Sequence, residues 1–255
     1  MKKSEPAALW VLFRQKPPLE AAGVAAALGE GAGVEGGGGV LSLRVRGHVL
    51  RALAAGVPLP KEIVDRCLSA AHLRADQKSE LAAHGAHALV VNESEVPGPE
   101  GLVALYEAAW ALRGDGAAML GVMNPATWMC LTTDMLAQTL QPDFVQAVLA
   151  SPAESLALWL GFVKLFKPDG TTWLVTRGGW LVGLPDLAWL ALDLAESDEV
   201  RVMLAGILDY VHTTGRRLAA GDAIDFGERA VRLRAPYEFV DYIGADTLVI
   251  EPRDE

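Results

Sequence analysis

Apolar positions in the first half of the chain alternate between strand-like and helix-like spacing. Strands are predicted at four apolar runs: AALWVLF, VLSLRVRG, HALVVNE and AAMLGVM. Helices are predicted where apolar residues recur at helical spacing, in LEAAGVAAALGEG, PLPKEIVDRCLSAAH and GPEGLVALYEAAWALRG. The order is β-α-β, an intervening helix, then β-α-β, which is typical of a ferredoxin-like layer with helices on one sheet face. The glycine tract 36–39 is predicted to be a flexible loop.

The second half is richer in short β-forming runs separated by turns. These runs are LALWLGFVKLF, TTWLVTRG, WLVGLPDLAWLALDL, AVRLRA and DTLVIE. One helix interrupts them, with Ser197 as its predicted N-cap and Gly215 as its predicted end. We therefore predict an α+β protein: a ferredoxin-like N-terminal half, and a C-terminal half with a mainly antiparallel sheet plus one helix.

Three segments follow from this pattern. Residues 1–131 are predicted to form the ferredoxin-like α/β half and residues 156–255 the α+β half. Residues 132–155, punctuated by Pro142 and Pro152, are predicted to be a helical linker. We expect the halves to pack as one continuous unit, and the pattern leaves open whether their sheets join or stack.

Composition narrows the classes of function. The 32 acidic and 22 basic side chains give a formal net charge of −10, which disfavours nucleic acid as a partner. No apolar run approaches the roughly 18 residues of a spanning helix, so membrane insertion is not expected. Glu5 and Pro6 follow the basic start at once, which argues against a signal peptide. We expect a cytoplasmic protein in which Cys67 and Cys130 are reduced packing residues.

The histidines His84 and His87 are the first candidates for chemistry. A zinc site needs three or four ligands, usually at i, i+4 on a helix, and this pair has a spacing of three. Gly85 separates His84, at a predicted helix end, from His87, which shares a strand face with Leu89 and Val91. We interpret both as structural and expect neither a metal nor a cofactor.

A glycine-rich turn is the second candidate. Arg177, Gly178 and Gly179 lie between Trp173 and Trp180, where two backbone N–H groups and a guanidinium could bind an anion. A bulge in a strand would explain the two glycines as well, and we favour that structural explanation. Neither a phosphate-binding loop nor a dinucleotide-binding glycine motif is present in the sequence.

Two groups of acidic residues complete the candidates. Asp222, Asp225 and Glu228 follow one another at a spacing of three, but the calcium-loop pattern is not met and a turn into a strand is favoured. Glu93 and Glu95 lie just after a predicted strand and before a helix, at an edge where α/β sheets often bind ligands. A solvated turn that caps the helix is the favoured alternative.

Several blocks of the sequence resemble the bacterial domain-of-unknown-function family 4261. The blocks are PLP…AAHLRADQKSELAAHGAHALVV, LALWLGF, TRGGWLVGLPDL and GDAI, and they span about residues 58–228. In the third block, the matching residues are Thr176, Gly178, Gly183, Pro185 and Asp186. The resemblance implies a bacterial intracellular origin and one continuous unit, and it carries no activity with it.

The absence of a catalytic signature favours a non-catalytic bacterial interaction protein: an adaptor, an inhibitor or an immunity-type partner in a secretion or competition system. An acidic surface would suit a basic protein partner, and some of the seven tryptophans could serve as anchors. The alternative is an enzyme with a small-molecule anion site near Arg177 and Asp222, in which His212 or the neighbouring carboxylates transfer a proton. A self-assembling scaffold is a third possibility, and the oligomeric state stays open.

Overall fold

The computed structural model describes residues 6–94, 96–114, 118–156, 159–226 and 229–252. Within these residues the protein is α+β, with two mainly antiparallel sheets and eight α-helices. The chain divides into two compact units, Met1–Leu149 and Ala150–Glu255, which we call the first and second units. The boundary between them falls inside the segment predicted to be a linker.

Strands and helices alternate irregularly in the first unit. Its strands are β1 (Ala8–Phe13), β2 (Gly33–Gly37), β3 (Val40–Val45), β4 (His48–Ala55), β5 (Ala86–Asn92), β6 (Met119–Asn124) and β7 (Met129–Thr132). Its helices are α1 (Ala21–Leu28), α2 (Lys61–Ala70), α3 (Ala75–Ala82), α4 (Gly98–Ala111), α5 (Thr133–Thr139) and α6 (Pro142–Ala150), which ends at the boundary. The strands form one sheet in the order β2-β3-β4-β5-β1-β6-β7, with every pair antiparallel.

Helices cover both faces of this sheet, so the expectation of helices on one face is wrong. On one face, Asn92 of β5 donates from Nδ2 to the Gly101 carbonyl of α4 at 3.2 Å. On the other face, Leu12 of β1 packs in a buried cluster with Cys67 of α2 and Leu81 of α3. The ferredoxin-like arrangement is not confirmed, because the sheet has seven strands and its connections include an additional hairpin and helices.

A hairpin replaces the predicted glycine loop. Gly36 and Gly37 lie in β2 and pair with Leu41 and Val40 of β3. A side chain at Gly36 would place its Cβ 2.5 Å from the Val40 carbonyl oxygen, so only glycine fits this approach of two backbones. Composition alone indicated a loop because glycine weakens strand propensity, and the pairing partner was not visible in the local pattern.

The predicted linker is largely part of the first unit. Helix α5 packs against β6 and β7, and the Thr133 hydroxyl donates to the Met119 carbonyl at 2.8 Å. Thr132 caps α5 by accepting a hydrogen bond from the Met135 N–H at 3.3 Å. The prolines therefore separate short helices and do not mark an extended connection.

The second unit contains β8 (Gly161–Phe166), β9 (Thr172–Arg177), β10 (Leu187–Ala191), β11 (Ala223–Phe226), β12 (Arg229–Arg234) and β13 (Leu248–Pro252). Its α-helices are α7 (Ser197–Thr214) and α8 (Val240–Ile243), so the prediction of one helix in this half is not confirmed. The sheet order is β11-β12-β13-β10-β9-β8, antiparallel except for the parallel pair β10 and β13. Helix α7 packs on β9 and β10 and ends at the left-handed Gly215, as predicted.

The opposite face of the second sheet carries its own apolar cluster. Trp173 and Val175 of β9 pack with Val249 of β13 and Ile243 of α8, and Phe239 lies against them. Phe239 has a left-handed backbone with φ of 57°, which is uncommon for a side chain of this size. This turn places the Phe239 ring against the cluster. Tyr237 and Glu238, the two residues before Phe239 in the sequence, line a groove on the second unit.

Candidate functional site

His84 is fixed as a structural residue at the junction between α3 and β5. Its Nδ1 lies 2.8 Å from the Leu81 carbonyl, and its Nε2 lies 2.9 Å from the Leu59 N–H. A carbonyl only accepts and an N–H only donates, so the ring is neutral with its proton on Nδ1. Burial lowers the pKa of His84, which favours the same neutral form.

His87 does not complete a site with His84. Its Nδ1 lies 2.8 Å from the Val57 carbonyl, so it too bonds to a backbone group. Three or more His, Cys, Asp or Glu side chains do not gather into a metal-binding group anywhere in the described part of the chain. Both ring nitrogens of His84 are engaged by backbone, so this ring has no nitrogen left for a ligand.

Replacing His84 with phenylalanine is expected to lower the free energy of unfolding of the first unit by about 2 kcal/mol. The Leu59 N–H would lose its acceptor while staying buried. A matched His87→Phe variant, at a more exposed site with one described ring bond, should lose less. Urea titrations followed by hydrogen exchange would give both values, and an equal loss in the two variants would contradict this role of His84.

Because folding depresses the pKa of His84, the unfolded chain binds its proton more readily than the folded chain does. His84 therefore makes its full contribution to the free energy of unfolding of the first unit above pH 6.5, the ordinary pKa of histidine. This contribution decreases as the pH drops below 6.5. The His84→Phe variant should lack this component of the pH dependence.

The glycine-rich turn is filled by an anion from the chain itself. The Gly179 N–H donates to Oδ1 of Asp186 at 2.8 Å, and the Gly178 N–H donates to Oδ2 at 3.3 Å. Arg177 donates from Nη1 to the Tyr242 carbonyl at 2.9 Å. The two backbone donors that were considered for an anion are thus directed at the half-buried carboxylate of Asp186, which supports the favoured structural explanation of the turn.

The predicted carboxylates lie far from Arg177. Asp222 precedes β11 and Asp225 lies within it, whereas Arg177 ends β9. Strands β12, β13 and β10 intervene, and four spacings of about 4.8 Å correspond to about 19 Å. Asp222 accepts from the Ala219 N–H at 3.0 Å and so closes its own turn. Glu228 lies outside the described residues.

In the acidic loop after β5, Glu93 bonds to the neighbouring strand β4. Glu93 is exposed and forms a salt bridge with the exposed Arg51 of β4, an arrangement of little energetic weight. Its N–H donates to the Val49 carbonyl at 3.1 Å, which extends the pairing of the two strands. Glu95 lies outside the described residues.

A groove on the second unit was not predicted from the sequence. It has a volume of about 360 Å³ and lies at the ends of the parallel pair β10 and β13. Leu190 and Val249 contribute to its apolar lining. Tyr237 and Leu192 line it with 75% and 79% of their surface exposed, so large apolar side chains face solvent beside an apolar depression.

The charged lining of this groove is mainly acidic. Glu196, Glu238 and Glu251 contribute three carboxylates and Arg234 one guanidinium, which leaves a net charge of −2. Arg234 pairs with Oε1 of Glu238 at 2.7 Å, pairs with Glu251, and stacks 4.0 Å from the Tyr237 ring centroid. Oε2 of Glu238 is buried and accepts no hydrogen bond within the described structure. The groove therefore offers carboxylate oxygen beside apolar surface.

The signal for this groove in the sequence is weak. The aromatic Tyr237 and the acidic Glu238 follow the strand β12 after a single proline turn, which by itself resembles an ordinary loop. The sequence pointed to tryptophans as possible anchors for a partner. However, Trp159 and Trp173 are fully buried, and none of the seven tryptophans is among the exposed large apolar residues. Only the pairing of β10 with β13 brings Leu190, Val249 and Tyr237 to one place.

No described helix has the length and apolar character needed to cross a membrane. Comparison with known proteins adds no relative: no family model, curated protein or solved structure matches this chain.

Proposed function

We propose that this protein is a non-catalytic interaction protein that binds a basic segment of a partner protein in the groove of its second unit. The observation that carries the proposal is the acidic groove with an apolar lining and two exposed apolar side chains. A lysine or arginine side chain has the matching chemistry, because its charge attracts carboxylates while its aliphatic stem packs on apolar surface.

Charge complementarity favours a basic partner over an acidic or neutral one. The lining has a net charge of −2, and the whole chain has a formal net charge of −10. The overall charge would speed the encounter with a basic protein, and the groove would supply the short-range specificity. Arg234 is already paired with two carboxylates, so the guanidinium is poorly placed to recruit an anion.

A binding role, and not catalysis, is supported by the separation of the candidate reactive groups. Arg177 and Asp222 are four strands apart, and Asp186 already occupies the glycine turn. In a bacterial setting, an adaptor, inhibitor or immunity-type partner in a secretion or competition system would need a surface of this kind. The resemblance to family 4261 is the support for that setting and stays a prediction.

The test is a binding titration with fluorescent peptides of about twelve residues that alternate Arg or Lys with Leu, and with matched Glu-Leu peptides as controls. We expect micromolar binding of the basic peptides and none of the acidic ones. Raising the salt concentration should weaken binding, since part of the attraction is electrostatic. Preference for the acidic peptides would contradict the proposal.

A pair of charge reversals separates the groove from the general acidity of the protein. Glu196→Lys places a cation in the groove and should weaken basic-peptide binding about tenfold. Asp198→Lys makes the same change of charge two residues later, on an exposed position in the first turn of α7 outside the groove lining. That control should change the affinity less than twofold, and equal losses in both variants would indicate unspecific charge attraction.

For the fold of the first unit, we also propose that the four strands β4, β5, β1 and β6 form a ferredoxin-like core. These strands are adjacent in that order and alternate in direction. Helix α1 lies in the connection from β1 to β4, and α4 connects β5 to β6. The hairpin β2-β3 and the strand β7 would then be additions to a four-stranded core.

A further inference from the structure

The groove of the second unit lies where the parallel strands β10 and β13 stop pairing. Their register ends at the pair Trp189 and Ile250, yet β10 continues to Ala191 along β9 and β13 continues to Pro252 along β12. Successive residues of a strand point to opposite faces of a sheet, and both Trp189 and Leu190 line the groove. The groove therefore opens at the strand ends, where backbone groups of both strands border it.

A proline ends this pairing and leaves one main-chain carbonyl without a donor. The Leu248 N–H donates to the Asp186 carbonyl at 2.9 Å, which fixes the alternation of the parallel ladder. Partners advance by two positions along both strands, so the carbonyls of residues 188 and 190 face positions 250 and 252. Position 252 is proline, which has no N–H to donate. Among the described residues, the Leu190 carbonyl therefore has no ladder partner, and it borders the groove as an acceptor.

Arg234 already occupies the contacts that a second arginine would use best. It takes one oxygen of Glu238 and one of Glu251, and the other oxygen of Glu238 is buried. Its guanidinium also lies 4.0 Å from the centroid of the Tyr237 ring, so one face of this ring already carries a cation. Glu196 precedes α7 without capping the helix by its side chain, which leaves its carboxylate available to a ligand.

From these observations we infer that the groove selects lysine over arginine in its partner, and this inference rests on the proposed function. A lysine ammonium carries three N–H donors on one atom, so it can bond to the Leu190 carbonyl and to one oxygen each of Glu196 and Glu251. These acceptors belong to three separate groups, whereas the planar guanidinium prefers two oxygens of one carboxylate. The exposed side chains of Leu192 and Tyr237 contact the aliphatic stem of the lysine.

Three peptides with acetylated N termini test the inference: an alternating Lys-Leu peptide, its Arg-Leu counterpart and a Lys-Leu peptide with trimethylated lysines. Trimethyl-lysine keeps the positive charge but has no N–H donor. We expect the lysine peptide to bind about fivefold more tightly than the arginine peptide and about tenfold more tightly than the trimethylated one, because hydrogen bonds that involve a charged group are the stronger ones.

The outcomes separate this inference from the proposed function. Equal affinity for the lysine and trimethyl-lysine peptides would overturn the selection of lysine, and so would equal or tighter binding of the arginine peptide. In both cases basic peptides still bind, so the proposed function would stand. If none of the basic peptides binds, the proposed function fails and the inference fails with it.

Pro252→Ala separates the contribution of the carbonyl from that of the carboxylates. Alanine supplies an N–H at position 252 that can donate to the Leu190 carbonyl and complete the ladder. This variant should bind the lysine peptide about fivefold more weakly and the trimethylated peptide as the wild type does, since trimethyl-lysine has no hydrogen bond to lose. Pro168→Ala, at an exposed position in the turn between β8 and β9, is the control and should match the wild type for both peptides. An unchanged preference for lysine over trimethyl-lysine in Pro252→Ala would overturn the inference.

Discussion

Gly121→Ala is expected to lower the free energy of unfolding of the first unit by about 3–5 kcal/mol, an effect large enough to unfold a marginal domain. A Cβ at this position would lie 2.1 Å from the Leu131 carbonyl oxygen and 2.8 Å from Cδ2 of Leu81. The first contact is with the backbone of β7, so a rotation of a side chain cannot relieve it. Strands β6 and β7 would have to separate.

The position of Gly121 in the sheet explains why the neighbours cannot move. Gly121 pairs with Thr132 of β7 on one side and with Leu12 of β1 on the other, next to an irregularity in the β1–β6 register. Leu81 is fully buried in the cluster that includes Leu12. A shift of β6 away from β7 would therefore push β6 against β1.

Gly23→Ala is the matched control for this prediction. Gly23 lies in α1, and a Cβ there would meet no atom within 4 Å. Alanine favours a helix over glycine by about 1 kcal/mol, so this variant should be as stable as the wild type or slightly more stable. Urea titrations with hydrogen exchange resolved by peptide would follow the first unit alone, and similar stability of the two variants would contradict the steric argument.

Asp186→Asn is expected to change the pH dependence of stability of the second unit by about 3 kcal/mol between pH 4 and pH 7.5. Burial raises the pKa of Asp186 from its ordinary value of 3.8 to about 6, although the N–H groups of Gly179 and Gly178 and the charge of Arg177 oppose the increase. The difference of about two pH units corresponds to about 3 kcal/mol at 1.36 kcal/mol each.

The direction of the pH effect follows from proton binding. Between pH 3.8 and about 6, the folded protein holds a proton on Asp186 that the unfolded chain has lost. The free energy of unfolding of the wild type therefore falls as the pH rises through this range, and it stays reduced above it. Asparagine has no such proton, so the variant should gain stability relative to the wild type as the pH increases.

Asparagine also has a cost that does not depend on pH. Its oxygen can keep the bond from the Gly179 N–H, but its amide group would face the Gly178 N–H as a second donor, at a cost of about 1 kcal/mol. The informative quantity is therefore the slope of the difference between variant and wild type. Asp246→Asn, at an exposed position in the same unit, is the control and should leave that slope unchanged. A difference that is flat with pH would show that Asp186 is ionised throughout.

Much of the secondary structure follows from local patterns in the sequence. Helix α4 was predicted from its apolar spacing at residues 98–114, and the structure has it at Gly98–Ala111. The predicted runs also overlap strands β1, β3, β5, β9, β12 and β13, because alternation and β-propensity are properties of neighbouring residues. Strand β4 was missed: its pattern is half exposed, and its pairing with β3 and β5 is what stabilises it as a strand.

The sequence alone determined the α+β class and the acidic charge, and it predicted a structural role for the two histidines. The tertiary structure alone decided that Cys67 and Cys130 belong to one buried cluster, that Asp186 fills the glycine turn, and that Arg177 is far from Asp222. The physical reason is the distance along the chain over which each effect acts. Backbone propensity and apolar periodicity act over a few residues, whereas strand order joins residues that lie far apart in the chain. The groove depends on the pairing of β10 with β13, across about sixty residues that no local pattern spans.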